Sequence, residues 1–133
     1  MDALDLRLQI LNQSGLLSDR HVRTANALRQ LFLRRYGIEL TEENASAFFT
    51  HFCMALHRLE TGESIEPVSP FIYDEILDQY DYENAGFIAE ELERYVVSLP
   101  EWERGYVLMH LIVLLGNIRQ AYDEEILNGQ ETP

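Results

Sequence analysis

Residues 41–62, TEENASAFFTHFCMALHRLETG, carry the signals of one complete amphipathic α-helix. Thr41 is a residue type that caps helix N-termini, and the two glutamates after it face the positive end of the helix dipole. Phe48 and Phe52 belong to an apolar stripe at helical spacing, and the glycine at position 62 stops the helix. The segment therefore predicts a helix that buries one aromatic face in a protein core.

The same periodicity governs the rest of the chain, and strand-like alternation is scarce. We predict one short helix and four more long ones, over residues 3–12, 19–36, 70–77, 82–96 and 99–122. Phe87 and Tyr95 are expected among the apolar positions of their helix. The last helix is expected to open with a capping box formed by Ser98 and Glu101.

The chain has 133 residues, of which 47% are hydrophobic and 25% charged, as in an ordinary soluble globular protein. Every predicted connection between helices is short, which leaves no room for a second domain. The sequence therefore predicts an all-α bundle of five main helices plus one short helix. This single domain spans residues 1–128, and residues 129–133 form a polar tail.

The charge is strongly acidic and unevenly spread. The 23 acids outnumber the 10 bases for a net charge of −13, and all ten bases are arginine, which excludes lysine-dependent chemistry such as a Schiff base or a P-loop. Residues 1–36 carry a net charge of +3, whereas residues 37–133 carry −16. An acidic surface of this kind binds polyphosphates poorly, so we expect no direct nucleic-acid binding. The acids serve as a solvated surface or attract a basic partner.

Cys53 is the single cysteine, so no intramolecular disulfide can form, and its apolar neighbours predict a buried structural thiol. The N-terminus, MDALDLRLQ, lacks the basic and then apolar pattern of a signal peptide. The longest apolar stretch, residues 107–116, is far shorter than the ~20 residues that span a membrane. We therefore expect a cytoplasmic protein that does not associate with membranes.

Two helices each carry a histidine beside an apolar face. At ~100° per residue, His51 lies on the shoulder of the stripe centred on Phe52, and Arg58 returns to within about 20° of His51. The last helix is apolar almost all round, which predicts a position in the core or against a second subunit. Its polar exceptions fall within about 40° of one another on the helical wheel: Glu103, Tyr106, His110 and Asn117. Such a polar line must be hydrogen-bonded or hydrated, because an unpaired buried group costs ~1–3 kcal/mol.

These residues leave three interpretations open. Both histidines can be structural, each satisfied inside the bundle. They can instead form a reactive site. A metal site from His51, His110 and Glu103 is the third interpretation, but the chain lacks the H-E-x-x-H and E-x-x-H patterns of helical metal sites. We therefore expect neither a metal nor another cofactor.

Two segments resemble the histidine motifs of the PTS regulation domain (PRD), a regulatory domain of the sugar phosphotransferase system. THFCMALHRLETGE, residues 50–63, is similar to the first motif, in which a helical histidine is followed by apolar residues, an arginine-leucine pair and a glycine. LPEWERGYVLMHL, residues 99–111, is similar to the second, with its acidic residue, glycine-aromatic pair, apolar run and histidine. One difference is Thr50, which stands where the family often has an aspartate before the first histidine.

The resemblance implies a non-enzymatic, dimerising five-helix domain of a bacterial regulator. It implies that His51 and His110 accept phosphoryl groups, with the phosphocarrier HPr or a sugar-specific EIIB protein as the donor. The polar neighbours would support the site: Arg58, Glu103, Tyr106 and Asn117. The domain would act through a homodimer, or a mixed dimer with another PRD regulator, on transcription or antitermination. We expect a single PRD without a nucleic-acid-binding module.

Three other functions compete with this one. A constitutive helical adaptor or dimerisation module would keep both histidines as structural residues. A histidine phosphotransfer domain of two-component signalling is disfavoured, because its H-x-x-K-G motif needs a lysine that this chain lacks. A small metal-binding or hydrolytic enzyme is also disfavoured, since the sequence contains no serine elbow, paired cysteine ligands or glycine-rich phosphate loop.

Overall fold

The structure is a computed structural model that describes residues 1–131, without the side chains of residues 129–131. It contains six α-helices: α1 (Ala3–Gln13), α2 (Asp19–Tyr36), α3 (Glu42–Thr61), α4 (Pro70–Leu77), α5 (Tyr82–Tyr95) and α6 (Arg104–Glu131). A 3-10 turn, Glu101–Glu103, leads directly into α6. No strand occurs among the described residues. The predicted all-α bundle of five main helices plus one short helix, here α4, is confirmed.

Several helix ends form where the local sequence predicted them. The Ser18 hydroxyl accepts a hydrogen bond from the His21 backbone N–H, 3.2 Å away, and so caps α2. The Thr41 hydroxyl caps α3 in the same way. Gly37 and Gly62 follow α2 and α3 with φ angles of +67° and +74°, a left-handed conformation that favours glycine. These caps satisfy N–H and C=O groups that have no partner inside their own helix.

The last helix differs from its prediction at both ends. The predicted capping box does not form, since the backbone at Pro100 is extended and a 3-10 turn intervenes before α6 begins at Arg104. At the other end α6 continues to Glu131, well beyond Tyr122; residues 117–128 contain no glycine or proline, which favours a helix over this stretch. The predicted polar tail, residues 129–133, lies outside the residues whose side chains are described.

The core is centred on α3, which packs against α1, α2 and α6. The fully buried side chains of α2, α3 and α6 include Phe32, Phe48, Phe49, Phe52, Leu56, Leu108, Leu111 and Leu114. Cys53 is buried among them, as its apolar neighbours predicted. α5 contacts α6 and buries Ala85, Ile88, Ala89 and Leu92, whereas its Phe87 and Tyr95 are more than half exposed. The prediction that Phe87 and Tyr95 belong to the buried face of α5 is therefore wrong, because that face follows the spacing of Ala85, Ile88, Ala89 and Leu92.

The first half of α6 lies inside the bundle, in contact with α3, α4 and α5. Val107, Leu108, Leu111 and Leu114 are buried there, whereas Met109 and Ile112 are partly exposed and Val113 is 49% exposed. Burial inside the bundle therefore accounts for one face of this apolar segment and not for the whole of it. Despite its apolar character, none of the helices in residues 1–131 combines the length and apolarity that crossing a membrane requires.

Candidate functional site

The packing of α3 against α6 brings His51 and His110 together. Their ring centroids are 4.5 Å apart with an interplanar angle of 28°, so the two imidazoles are stacked. The Tyr106 ring, one helical turn before His110, lies 5.7 Å from the His51 ring at 29°. Two histidines from distant segments of the chain thus share one location, with an aromatic side chain beside them.

A buried ion pair lies next to the histidines. The Glu103 carboxylate, on the 3-10 turn, is 1% exposed. It accepts hydrogen bonds from Arg58 Nε (2.7 Å, to Oε1) and from an Arg58 terminal nitrogen (2.9 Å, to Oε2). The hydrogen bonds to Glu103 raise the pKa of Arg58. This bidentate arrangement provides the compensation that a buried carboxylate requires.

The His51 imidazole faces that carboxylate. Its Nε2 atom is 3.6 Å from Glu103 Oε2, is sealed from solvent and has no hydrogen-bond partner. Burial lowers the pKa of His51 to about 4, and the charges of His110 and Arg58 act in the same direction, while Glu103 opposes them. Burial also lowers the pKa of His110. Both rings are therefore neutral near pH 7, and each has a nitrogen lone pair available for chemistry.

Gly105 and Tyr106 attach the loop between α3 and α4 to this site. The Tyr106 hydroxyl donates a hydrogen bond to the Glu66 backbone carbonyl at 2.9 Å. Val68 packs on Gly105 so closely that a Cβ atom there would lie 2.6 Å from Val68 Cγ2. The glycine-aromatic pair of the second motif thus positions the loop. No sequence signal marked Glu66 or Val68 as part of these contacts, because they depend on a tertiary fold that brings the loop onto α6.

Two other polar residues lie apart from the histidine pair. Asn117 is seven residues beyond His110, about 10 Å along the helix, and its side-chain amide donates to the Asn44 backbone carbonyl at 3.0 Å. It therefore joins α6 to the start of α3. The His57 Nδ1 atom lies 2.8 Å from the Leu16 carbonyl oxygen and attaches α3 to the loop before α2.

The metal site that the sequence left open would use His51, His110 and Glu103 in this same region. Among residues 1–131 there is no group of three or more histidine, cysteine, aspartate or glutamate side chains placed to hold a metal ion. Both oxygens of the Glu103 carboxylate already accept hydrogen bonds from Arg58. The arrangement instead offers two neutral imidazoles beside a buried carboxylate.

Comparison with known proteins gives one family. A family model described as PRD domain matches residues 26–114, about two thirds of the chain. No curated protein matches the chain, and neither does any solved structure. The matched range contains both stacked histidines together with Arg58 and Glu103, while Asn117 lies just beyond it.

Proposed function

This chain belongs to the PRD domain family, whose members are regulatory domains of the phosphotransferase system, and we propose that His51 and His110 are its phosphoryl acceptors. The observation that carries the proposal is the stacked pair of neutral imidazoles, 4.5 Å apart, at the two motif histidines. We further propose that the domain works in the bacterial cytoplasm and regulates transcription or antitermination through other proteins.

For phosphoryl transfer, the acceptor histidine has to supply a free lone pair on a neutral ring nitrogen. A lone pair on a neutral imidazole nitrogen attacks the phosphorus of the phosphorylated donor, either HPr or a sugar-specific EIIB protein. The new N–P bond forms as the bond to the donor breaks, and the electron pair of that bond stays with the donor. The lowered pKa values of both histidines support this role, since protonated imidazole has no lone pair to offer.

Phosphorylation adds a charge of about −1.5 to −2, by analogy with other phosphorylated residues. Arg58 already gives two of its five N–H donors to Glu103, and this carboxylate offsets much of the positive charge that a phosphoryl group could otherwise pair with. The surrounding chain, residues 37–133, carries −16. We therefore propose that the added charge acts mainly by repulsion and weakens an interface with a second acidic PRD, either in a homodimer or in a mixed dimer.

Incubation with enzyme I, HPr and phosphoenolpyruvate tests this, with intact mass as the measurement. We expect a gain of one or more phosphoryl masses, a smaller gain in His51→Asn and in His110→Asn, and none in the double variant. His57→Asn is the matched control on α3 and should be phosphorylated like the unaltered chain. An unchanged mass with HPr and with EIIB donors would contradict the proposal.

A constitutive adaptor or dimerisation module is the second candidate. It is favoured by the low exposure of the His51 side chain, 13%, and by its sealed Nε2 atom. In that case His51→Asn and His110→Asn would lower the free energy of unfolding, and no donor protein would change the binding of a partner. The mass experiment above separates the two functions.

A further inference from the structure

We propose that Glu103 holds His51 in the tautomer with its proton on Nε2, and that Nδ1 is therefore the atom of His51 that accepts the phosphoryl group. The transfer itself rests on the function proposed above. The tautomer, in contrast, is a property of the unmodified chain and can be measured without any donor. Glu103 acts here as a positioning residue, because it works through His51.

The Nε2 side of the His51 ring faces Glu103. Nε2 and Glu103 Oε2 are 3.6 Å apart, too far for a good hydrogen bond but close enough for the charge of the carboxylate to act on the ring. The two hydrogen bonds from Arg58 stabilise the ionised carboxylate. A lone pair on Nε2 would face this negative charge and be repelled, whereas an N–H bond is attracted to it. The proton is therefore expected on Nε2.

The Nδ1 side of the His51 ring is the more open one. Of the two ring nitrogens of His51, Nε2 is both sealed from solvent and without a hydrogen bond. Nδ1 also makes no hydrogen bond within residues 1–131, but it is not sealed and so retains contact with solvent. His110 and Tyr106 are stacked against the His51 ring, and a stacked neighbour contacts a face of the ring and not its edge. With the proton on Nε2, the lone pair of the neutral ring lies on Nδ1, where a donor can approach it.

Two other histidines provide a contrast inside the same chain. His57 Nδ1 lies 2.8 Å from the Leu16 carbonyl oxygen, which can only accept, so the proton of His57 is on Nδ1. His21 likewise turns Nδ1 towards a carboxylate, with 2.7 Å between this atom and Glu60 Oε1. Among His21, His51 and His57, it is His51 that turns Nε2 towards a neighbouring oxygen, while the other two turn Nδ1.

The proton on Nε2 takes no part in the transfer. The Nδ1 lone pair forms the N–P bond, and the donor's bond to phosphorus breaks with its electrons remaining on the donor. The proton stays on Nε2, so the His51 ring becomes a phosphorylated imidazolium. Glu103 faces the positive charge that develops on this ring, and no separate base is needed. The same carboxylate thus sets the tautomer before transfer and stabilises the product.

The tautomer is tested by long-range 1H–15N correlation NMR on the full chain labelled with 15N-histidine, at pH 7.5. We expect the Nε2–H pattern for His51 and the Nδ1–H pattern for His57 in the same spectrum. Glu103→Gln should abolish the preference at His51, because an amide can donate to Nε2. Glu60→Gln, which alters the carboxylate facing His21, is the matched control and should leave His51 unchanged. An Nδ1–H pattern for His51 in the unaltered chain overturns the proposal, whether or not the Gln variants fold.

The acceptor atom is tested with phosphoramidate, a small molecule that phosphorylates histidine without a donor protein. 31P and 15N NMR of the product should place the phosphoryl group of His51 on Nδ1. Phosphorylation on Nε2, or no phosphorylation of His51, overturns the assignment. If phosphoramidate labels Nδ1 while HPr and EIIB proteins do not, the proposed donors are wrong and the assignment of the atom stands.

Discussion

Arg58 donates two hydrogen bonds, of 2.7 and 2.9 Å, to the buried carboxylate of Glu103, and so joins the end of α3 to the turn that precedes α6. The two residues are 45 positions apart in the sequence. Because α3 carries His51 and α6 carries His110, this ion pair connects the two helices that form the histidine stack. Its removal should therefore affect both the stability of the bundle and the geometry of the site.

Replacement of Arg58 by Met should lower the free energy of unfolding by roughly 3–5 kcal/mol, because Glu103 would remain buried without a cation. Urea denaturation measures this. The matched control is Arg7→Met, which removes the partly exposed ion pair of Arg7 with Glu42 and should cost less than about 1 kcal/mol. If Arg58→Met costs no more than the control, the ion pair does not stabilise the fold.

Gly105→Ala should destabilise the chain by about 1–3 kcal/mol, because the new Cβ would lie 2.6 Å from Val68 Cγ2 and displace the loop from α6. Gly86 in α5 and Gly116 in α6 are the controls, since a Cβ there meets no atom closer than 4.0 Å. Alanine at either control position should raise stability by roughly 0.5–1 kcal/mol through helix propensity. Thermal unfolding should show a lowered melting temperature for Gly105→Ala and a raised one for each of the two control variants. A melting temperature raised by Gly105→Ala would contradict the packing of Val68.

Stability should fall as the pH is lowered from 6.5 towards 4. Burial lowers the pKa of His51 from its ordinary 6.5 to about 4, so the unfolded chain binds a proton in this range before the folded chain does. The stabilisation is complete above pH 6.5 and decreases by up to ~3 kcal/mol on the way to pH 4. The lowered pKa of His110 acts in the same direction.

Urea denaturation between pH 4.5 and 7.5 measures this dependence, and His51→Asn should reduce its slope. Asp2 and Glu60 also have lowered pKa values, but their ordinary values are 3.8 and 4.5, so they lose their stabilisation at lower pH. His57→Asn is the control and should keep the slope of the unaltered chain. An equal slope in the His51 variant would argue against a buried neutral imidazole.

Cys53 should be inert in the folded chain. Its thiol is buried, and burial raises its pKa to about 12, so almost no thiolate exists near pH 7. Reaction with a chromogenic disulfide reagent should therefore proceed only as fast as the chain opens, and it should become rapid in urea. Fast labelling under native conditions would contradict the burial of Cys53 in the core.

Short-range chemistry along the chain was enough to predict most of the fold. Ser18 and Thr41 cap helices through hydrogen bonds to groups three residues away, and Gly37 and Gly62 end helices through their own φ angles. Such signals depend on a few neighbouring residues and can be recognised without the rest of the molecule. The delayed start of α6 was missed because the Ser98–Glu101 pattern allows a capping box, while the extended backbone at Pro100 prevents it.

The helical wheel also placed His51 near Arg58, and Glu103 in line with His110, since residues on one helix have fixed angular positions. It could not determine which of these side chains meet across α3 and α6. The stacking of His51 on His110 and the orientation of its Nε2 towards Glu103 depend on how these helices pack and on the turn before α6. Helix amphipathicity defines the faces that are buried, whereas packing defines which atoms meet, and the proposed chemistry depends on those atoms.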